Sequence, residues 1–157
     1  MPLASTLRCP QNPADKAKIL YVLGKLSTRL GHIRQAVRYF TRELEVTQHA
    51  LGTAHLSVSR CLHELAKLYE EEMSEYTMAL AKTKQALKVE YLVLQDIHGK
   101  IKSCPKCKAN QGNSCAFHAS LQRECVQQIR DTRNRMGRIY FKSGDIKTAL
   151  ECTIPIQ

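Results

Sequence analysis

Apolar residues recur along this chain at helical spacing and stop at glycines. Leu23, Leu26 and Leu30 form an i, i+3, i+7 stripe that ends at Gly31, and Ile33, Ala36, Val37, Phe40 and Leu44 form a second that runs toward Gly52. The pair recurs as Val58, Leu62, Leu65 and Tyr69, followed by Tyr76, Ala79, Leu80, Leu87 and Tyr91. Each stripe covers one helix face, so neither helix of a pair can bury its apolar side alone and neighbours must pack together. Alternating β-branched runs are scarce, and almost no sheet is expected.

The same pattern repeats along the chain. A large apolar residue precedes Gly or Ala at Leu23-Gly24, Leu65-Ala66 and Met136-Gly137, an apolar residue follows at Leu26, Leu68 and Ile139, and an alanine comes later at Ala36, Ala79 and Ala149. Leu23 and Leu65 are 42 residues apart, whereas Leu65 and Met136 are 71 apart, so an insertion displaces the third unit. The small residue in each first helix lets its partner helix approach closely.

These positions resemble the tetratricopeptide (TPR) repeat: Leu23-Gly24 with Ala36 and Phe40, Leu65-Ala66-Tyr69 with Ala79 and Ala86, and Met136-Gly137-Tyr140 with Ala149. The long period, and the echo of LGTAH at 51–55 in LQDIH at 94–98, resemble the repeats of kinesin light chains. The resemblance covers about residues 16–98 and 121–152. It departs from the pattern at Ser27, where an aromatic is usual, at Gln48 and Leu92, where a closing proline is usual, and at Cys152, where the third repeat runs out. It implies an all-α fold of antiparallel helix pairs in a superhelical repeat, about three in number, with an insertion before the last. The corresponding organisation is an N-terminal extension at 1–15, repeats one and two at 16–98, a basic Cys/His-containing insertion at 99–120, and an incomplete third repeat at 121–157.

The resemblance further implies a protein interaction scaffold, with a concave groove that takes an acidic or extended segment of a partner. The groove positions that it carries over are Lys18, Tyr21 and Lys25, then Arg60, His63 and Lys67, then Asn134, Arg138 and Lys142. Six of the nine are Lys or Arg, which favours an acidic segment. Glu64 and Asp131 stand where a clamp for chaperone C-terminal carboxylates would want asparagine and a basic residue, so a chaperone tail is not the expected ligand. A cytoplasmic setting with cytoskeletal or ciliary service is what the kinesin-light-chain-like repeats suggest.

Charge sharpens this picture. The formal net charge is +10, and residues 99–147 carry 11 Lys/Arg against 3 Asp/Glu. Such a field attracts acidic peptides, phosphates or nucleic acid without choosing among them. No apolar run reaches the roughly 18 residues of a membrane span, and MPLASTLRCPQNPADK has no continuous apolar centre of a secretory signal. Seven cysteines, four of them scattered (Cys9, Cys61, Cys125 and Cys152), then read as reduced thiols of an intracellular protein.

The remaining three fall in SCPKCKANQGNSCAFH at 103–118. Cys104-x2-Cys107 and Cys115-x2-His118 have the spacing at which a turn brings two ligands to one ion, and Gly112 and Asn113 can turn the chain back between the pairs. The set reads as a Cys3His zinc site, with Cys125 as a substitute ligand and Lys100, Lys102, Lys106 and Lys108 favouring thiolates. A thioredoxin-like role for CPKC lacks the preceding strand. Next to Arg123, Arg130, Arg133, Arg135 and Arg138, with Phe117, Tyr140 and Phe141 as stacking faces, the site also supports an alternative, a zinc-stabilised basic nucleic-acid-binding module.

No enzyme is indicated: the chain has no Gly-rich phosphate loop, G-x-S-x-G or H-E-x-x-H. Glu70, Glu71, Glu72 and Glu75 read as solvated surface, and His55 and His98 as packing or capping residues at matching turns. GDIKTALECTIPIQ begins a helix that should bury Ile146, Ala149 and Leu150 before Pro155 stops it, and the apolar surface left open there suggests self-association.

Overall fold

The structure is a computed structural model that describes residues 12–109 and 115–153. Most of the N-terminal extension with Cys9, the turn residues Gly112 and Asn113, and Pro155 lie outside the described residues. Among the described residues there are seven α-helices and no strand: α1 Pro13–Arg29, α2 Ile33–Leu51, α3 Leu56–Glu71, α4 Tyr76–Ser103, α5 Pro105–Ala109, α6 Ala116–Lys142 and α7 Ile146–Thr153. The fold is all-α, with antiparallel pairs α1/α2, α3/α4 and α6/α7, and α4 also packs on α6. The chain divides into two compact units, Met1–Gly52 and Thr53–Gln157. No described helix is long and apolar enough to cross a membrane.

Local chemistry sets the boundaries. Asn12 caps α1 by accepting from the Ala14 N–H at 3.0 Å, with Pro13 opening the helix, and His55 Nδ1 caps α3 by accepting from the Ser57 N–H at 3.1 Å. His98, by contrast, lies inside α4 and not at a turn; its Nε2 is 3.1 Å from the Gln122 amide nitrogen of α6. Gly31 at φ 76° and Gly144 at φ 90° turn the chain between the helices of the first and third pairs.

In the first unit the Phe40 ring of α2 lies against Gly24 of α1. The Phe40 ring is 1% exposed and stacks edge-on to Tyr21 at 6.1 Å. It occupies the space that a side chain at Gly24 would need, so α1 turns its small residues Gly24 and Ser27 toward α2. The expected Leu23, Leu26 and Leu30 stripe is therefore rotated: Leu26 and Leu30 are exposed, and so are Ile19 and Val22.

In the second unit α4 packs against both α3 and α6. Its buried line is Ala79, Thr83, Ala86, Glu90, Val93 and Ile97, one step round from the expected Tyr76, Leu80, Leu87 and Tyr91. The line ends at Ile97, where Val93 and Ile97 meet Cys125 and Ile129 of α6 with Leu94, Ile101 and Leu121 packed around them, while the helix itself runs on to Ser103. The stretch 99–120, expected as an insertion, is helical at both of its described ends: α4 runs on to Ser103, α5 follows, and α6 begins at Ala116. Ala149 of α7 is buried; Ile146 and Leu150, expected to be buried with it, are exposed.

Gly24→Ala would place a Cβ 2.7 Å from Phe40 ring carbons. Overpacking of about 1–3 kcal/mol should outweigh the roughly 1 kcal/mol gain in helix propensity, for a net loss on the order of 1 kcal/mol. Hydrogen exchange of α1 and α2 amides should report that loss, and Phe40→Leu should relieve it in the double variant. A stability gain from Gly24→Ala alone would refute this packing.

Candidate metal centre and interaction cleft

Two sites stand out, both in the second unit. The first lies where α4 ends. Cys104 is the C-cap of α4, Cys107 follows in the single turn of α5, Cys115 is the N-cap of α6 and His118 sits in its first turn. The three sulfurs and one ring nitrogen lie within 4.8 Å of one another. His118 Nδ1 is 3.4 Å from Cys107 Sγ and 3.2 Å from Cys115 Sγ, and the Cys115 N–H donates to Cys107 Sγ at 3.2 Å. Zinc held at about 2.3 Å from sulfur and 2.0–2.1 Å from nitrogen would set tetrahedral ligands roughly 3.5–3.8 Å apart, so small side-chain shifts suffice and the residues fit a metal ion.

The electrostatics of this cluster are those of thiols sharing charge. The Cys107 backbone hydrogen bond holds the Cys104 thiol below its ordinary range. The Cys115 N–H pulls Cys107 the same way, but burial and the neighbouring thiols outweigh it and the net displacement is upward. Cys125 is not part of this group. It is fully buried and donates to the Glu90 carbonyl at 3.3 Å, which removes it as a substitute ligand in this arrangement.

The second site is an open cleft of about 550 Å³ between α3 and α6. Ser59, His63 and Thr132 contribute to it, and all three bind one buried carboxylate behind them. Glu90 of α4 has no exposed surface, and its Oε1 accepts from the Ser59 hydroxyl, from Thr132 Oγ1 at 3.0 Å and lies 3.0 Å from His63 Nε2. Arg135 donates to the His63 carbonyl at 3.1 Å, a further tie between α6 and α3.

Of the nine residues carried over as groove positions, Arg60, His63 and Arg138 line this cleft. Lys67 and Lys142 instead pair with Glu71 at 3.7 Å and Glu70 at 2.6 Å, and Asn134 is exposed on α6. Lys18, Tyr21 and Lys25 belong to α1 in the other unit, where Lys25 Nζ lies 5.4 Å over the Tyr21 ring. Pairing with Glu70 raises the Lys142 pKa, so the ammonium stays charged through neutral pH and the pair is lost only as alkaline pH passes that raised value. Glu70 itself is buried, not solvated as its place in an acidic run suggests. The cleft wall also holds Glu64, Glu124 and Asp131 beside Arg60, Arg135 and Arg138, so its charge alternates.

Sequence reasoning missed Glu90, Ser59 and Thr132. The signal was a carboxylate at a core position of the α4 stripe, between Ala86 and Val93.

No profile of a known family matches the chain. No curated protein matches its sequence. Among solved structures it is similar to the crystal structure of BtubC (BKLC) from P. vanneervenii, at 18% identity and a TM-score of 0.45, over 95% of this chain and 64% of that one. The chain thus spans less than two thirds of that protein's length.

Glu90→Ala would take the carboxylate acceptor from Ser59 and leave His63 and Thr132 only each other and the Gln128 carbonyl, and should cost about 1–3 kcal/mol in denaturant unfolding, with exchange protection lost in α3 and α6. Glu90→Gln, which keeps an acceptor oxygen, should cost less. A change within about 0.5 kcal/mol for Glu90→Ala would mean that the network does not hold these helices.

Proposed function

We propose that this chain is a noncatalytic scaffold of helix pairs whose α3/α6 cleft receives an extended segment of a partner protein. The observation that carries it is the open cleft with exposed Arg60 and Arg138 beside a floor already fixed by Glu90. Hydroxyl and imidazole groups at the floor are tied inward to Glu90, and the exposed Arg60 and Arg138 give the wall its positive charge. Acidic side chains are the preferred contacts, seated individually because Glu64, Glu124 and Asp131 separate the cations. Function in the cytoplasm, with cytoskeletal or ciliary service, belongs to the same reading.

Zinc is the metal this donor set suits. Three thiolates and one imidazole form a closed soft site, with a structural role at the end of α4 and the start of α6. Exposed Lys102, Lys106 and Lys108 would offset the negative charge of such a centre. Nucleic acid is the weaker reading, because Arg133 donates to the Cys152 carbonyl, Arg135 to that of His63, and Lys84 lies 5.6 Å over the Tyr140 ring.

Native mass spectrometry of the reduced protein should find one bound zinc, absent from the Cys104→Ser, Cys107→Ser double variant; an intact metal-free protein would end the zinc assignment. Proteins retained by the immobilised chain should survive nuclease and be lost with salt and in the Arg60→Glu, Arg138→Glu double variant. Retention abolished by nuclease would replace the partner segment with nucleic acid.

A further inference from the structure

Between Asp96 and Glu124 the chain contains no Asp or Glu, yet it carries Lys100, Lys102, Lys106, Lys108 and Arg123. Lys100 pairs with Asp96 at 2.6 Å, and all five cations are exposed. Within this stretch Phe117 is 72% exposed, more than any other large hydrophobic residue among those described. Its ring sits edge-on to that of His118 at 5.5 Å, in the first turn of α6.

Helical phase relates this ring to the cleft. At 3.6 residues per turn, Phe117, Glu124, Gln128 and Arg135 fall within about 20° of one line along α6. Glu124, Gln128 and Arg135 line the cleft. Phe117 therefore continues that wall about 10 Å beyond Glu124, at the end of α6 that carries His118.

We infer that the partner segment entering the cleft runs on along α6 to the Cys/His tip, seating one large apolar side chain on Phe117 and acidic side chains among the tip cations. This rests on the scaffold reading above and names its ligand. Arg138 and Phe117 are about 32 Å apart along the helix, so an extended segment places its arginine-bound acid and its apolar anchor roughly nine or ten residues apart. The occupant is protein, not single-stranded nucleic acid. Stacking along a strand needs successive faces, whereas Phe141 lies at the far end of α6, and Glu124 and Asp131 repel a continuous phosphate chain while leaving room for separate carboxylates.

The test is selection of a phage-displayed random hexadecapeptide library on the intact chain in reducing, zinc-containing buffer. Enriched peptides are then titrated by fluorescence anisotropy, beside a labelled single-stranded oligonucleotide. Peptides with acidic residues and one large apolar residue should emerge, bind Phe117→Ala at least tenfold more weakly, and recover with Phe117→Leu. The ring is exposed, so neither substitution should disturb folding. Peptides weakened by Arg60→Glu, Arg138→Glu but indifferent to Phe117 would overturn this inference and leave the cleft standing. Indifference to both sets of changes would overturn both. Phe117-dependent binding of the oligonucleotide with no enriched peptide would reassign the surface to nucleic acid.

Discussion

A carboxylate with no exposed surface holds the second unit in register. Glu90 sits in the middle of α4, and removing its charge from water is costly unless neighbouring groups replace the lost solvation. Ser59 and His63 from α3 and Thr132 from α6 do so, and they reach it only if both helices sit at one height and one rotation against α4. Apolar contacts alone would tolerate a slip of a turn, since the stripes on these helices repeat; a hydrogen-bonded cluster does not. The cluster is not fully satisfied, because Glu90 Oε2 and His63 Nδ1 have no hydrogen-bond partner among the described residues. Its main contribution is therefore to which arrangement forms, more than to how stable that arrangement is. The two walls of the cleft owe their spacing to it.

The tip follows a different logic. Beyond Glu90, α4 and α6 share a narrow core of Val93, Ile97, Cys125 and Ile129. Leu56 of α3 packs against this core as well, but four buried side chains make a small core, and a small core is marginal without a further constraint. The Cys/His cluster lies where that constraint is most effective, because it joins the last residue of one helix to the first turn of the other. A metal ion held there would also fix the backbone beside Phe117 and present the exposed aromatic from ordered structure.

Helix pairing was legible in the sequence because the apolar period, the glycines at turns and the small residues at Gly24, Ala66 and Gly137 are local signals that survive into the fold. The metal ligands were legible for the same reason: two short spacings on either side of a turn. Which face of each helix is buried was read less well. Leu26 and Leu30 look like core by hydrophobicity, yet the Phe40 ring decides the rotation of α1, and that ring comes from the next helix. Glu90 and Glu70 were read past or assigned to surface because a carboxylate is buried only when partners from distant segments meet it, and Ser59, Thr132 and Lys142 lie 31, 42 and 72 residues away from theirs.

The matched lengthening of α4 and α6 separates two kinds of periodicity. Residues added to the end of one helix carry the chain outward, and residues added to the start of its antiparallel neighbour carry it back by the same distance. Met136 thus lies far along the chain from Leu65, yet α6 packs on both α4 and α7. Such a stack can acquire a new module at any junction between pairs without disturbing its neighbours, provided that the insertion is helical, symmetric about its tip, and closed there by something stronger than a few apolar contacts.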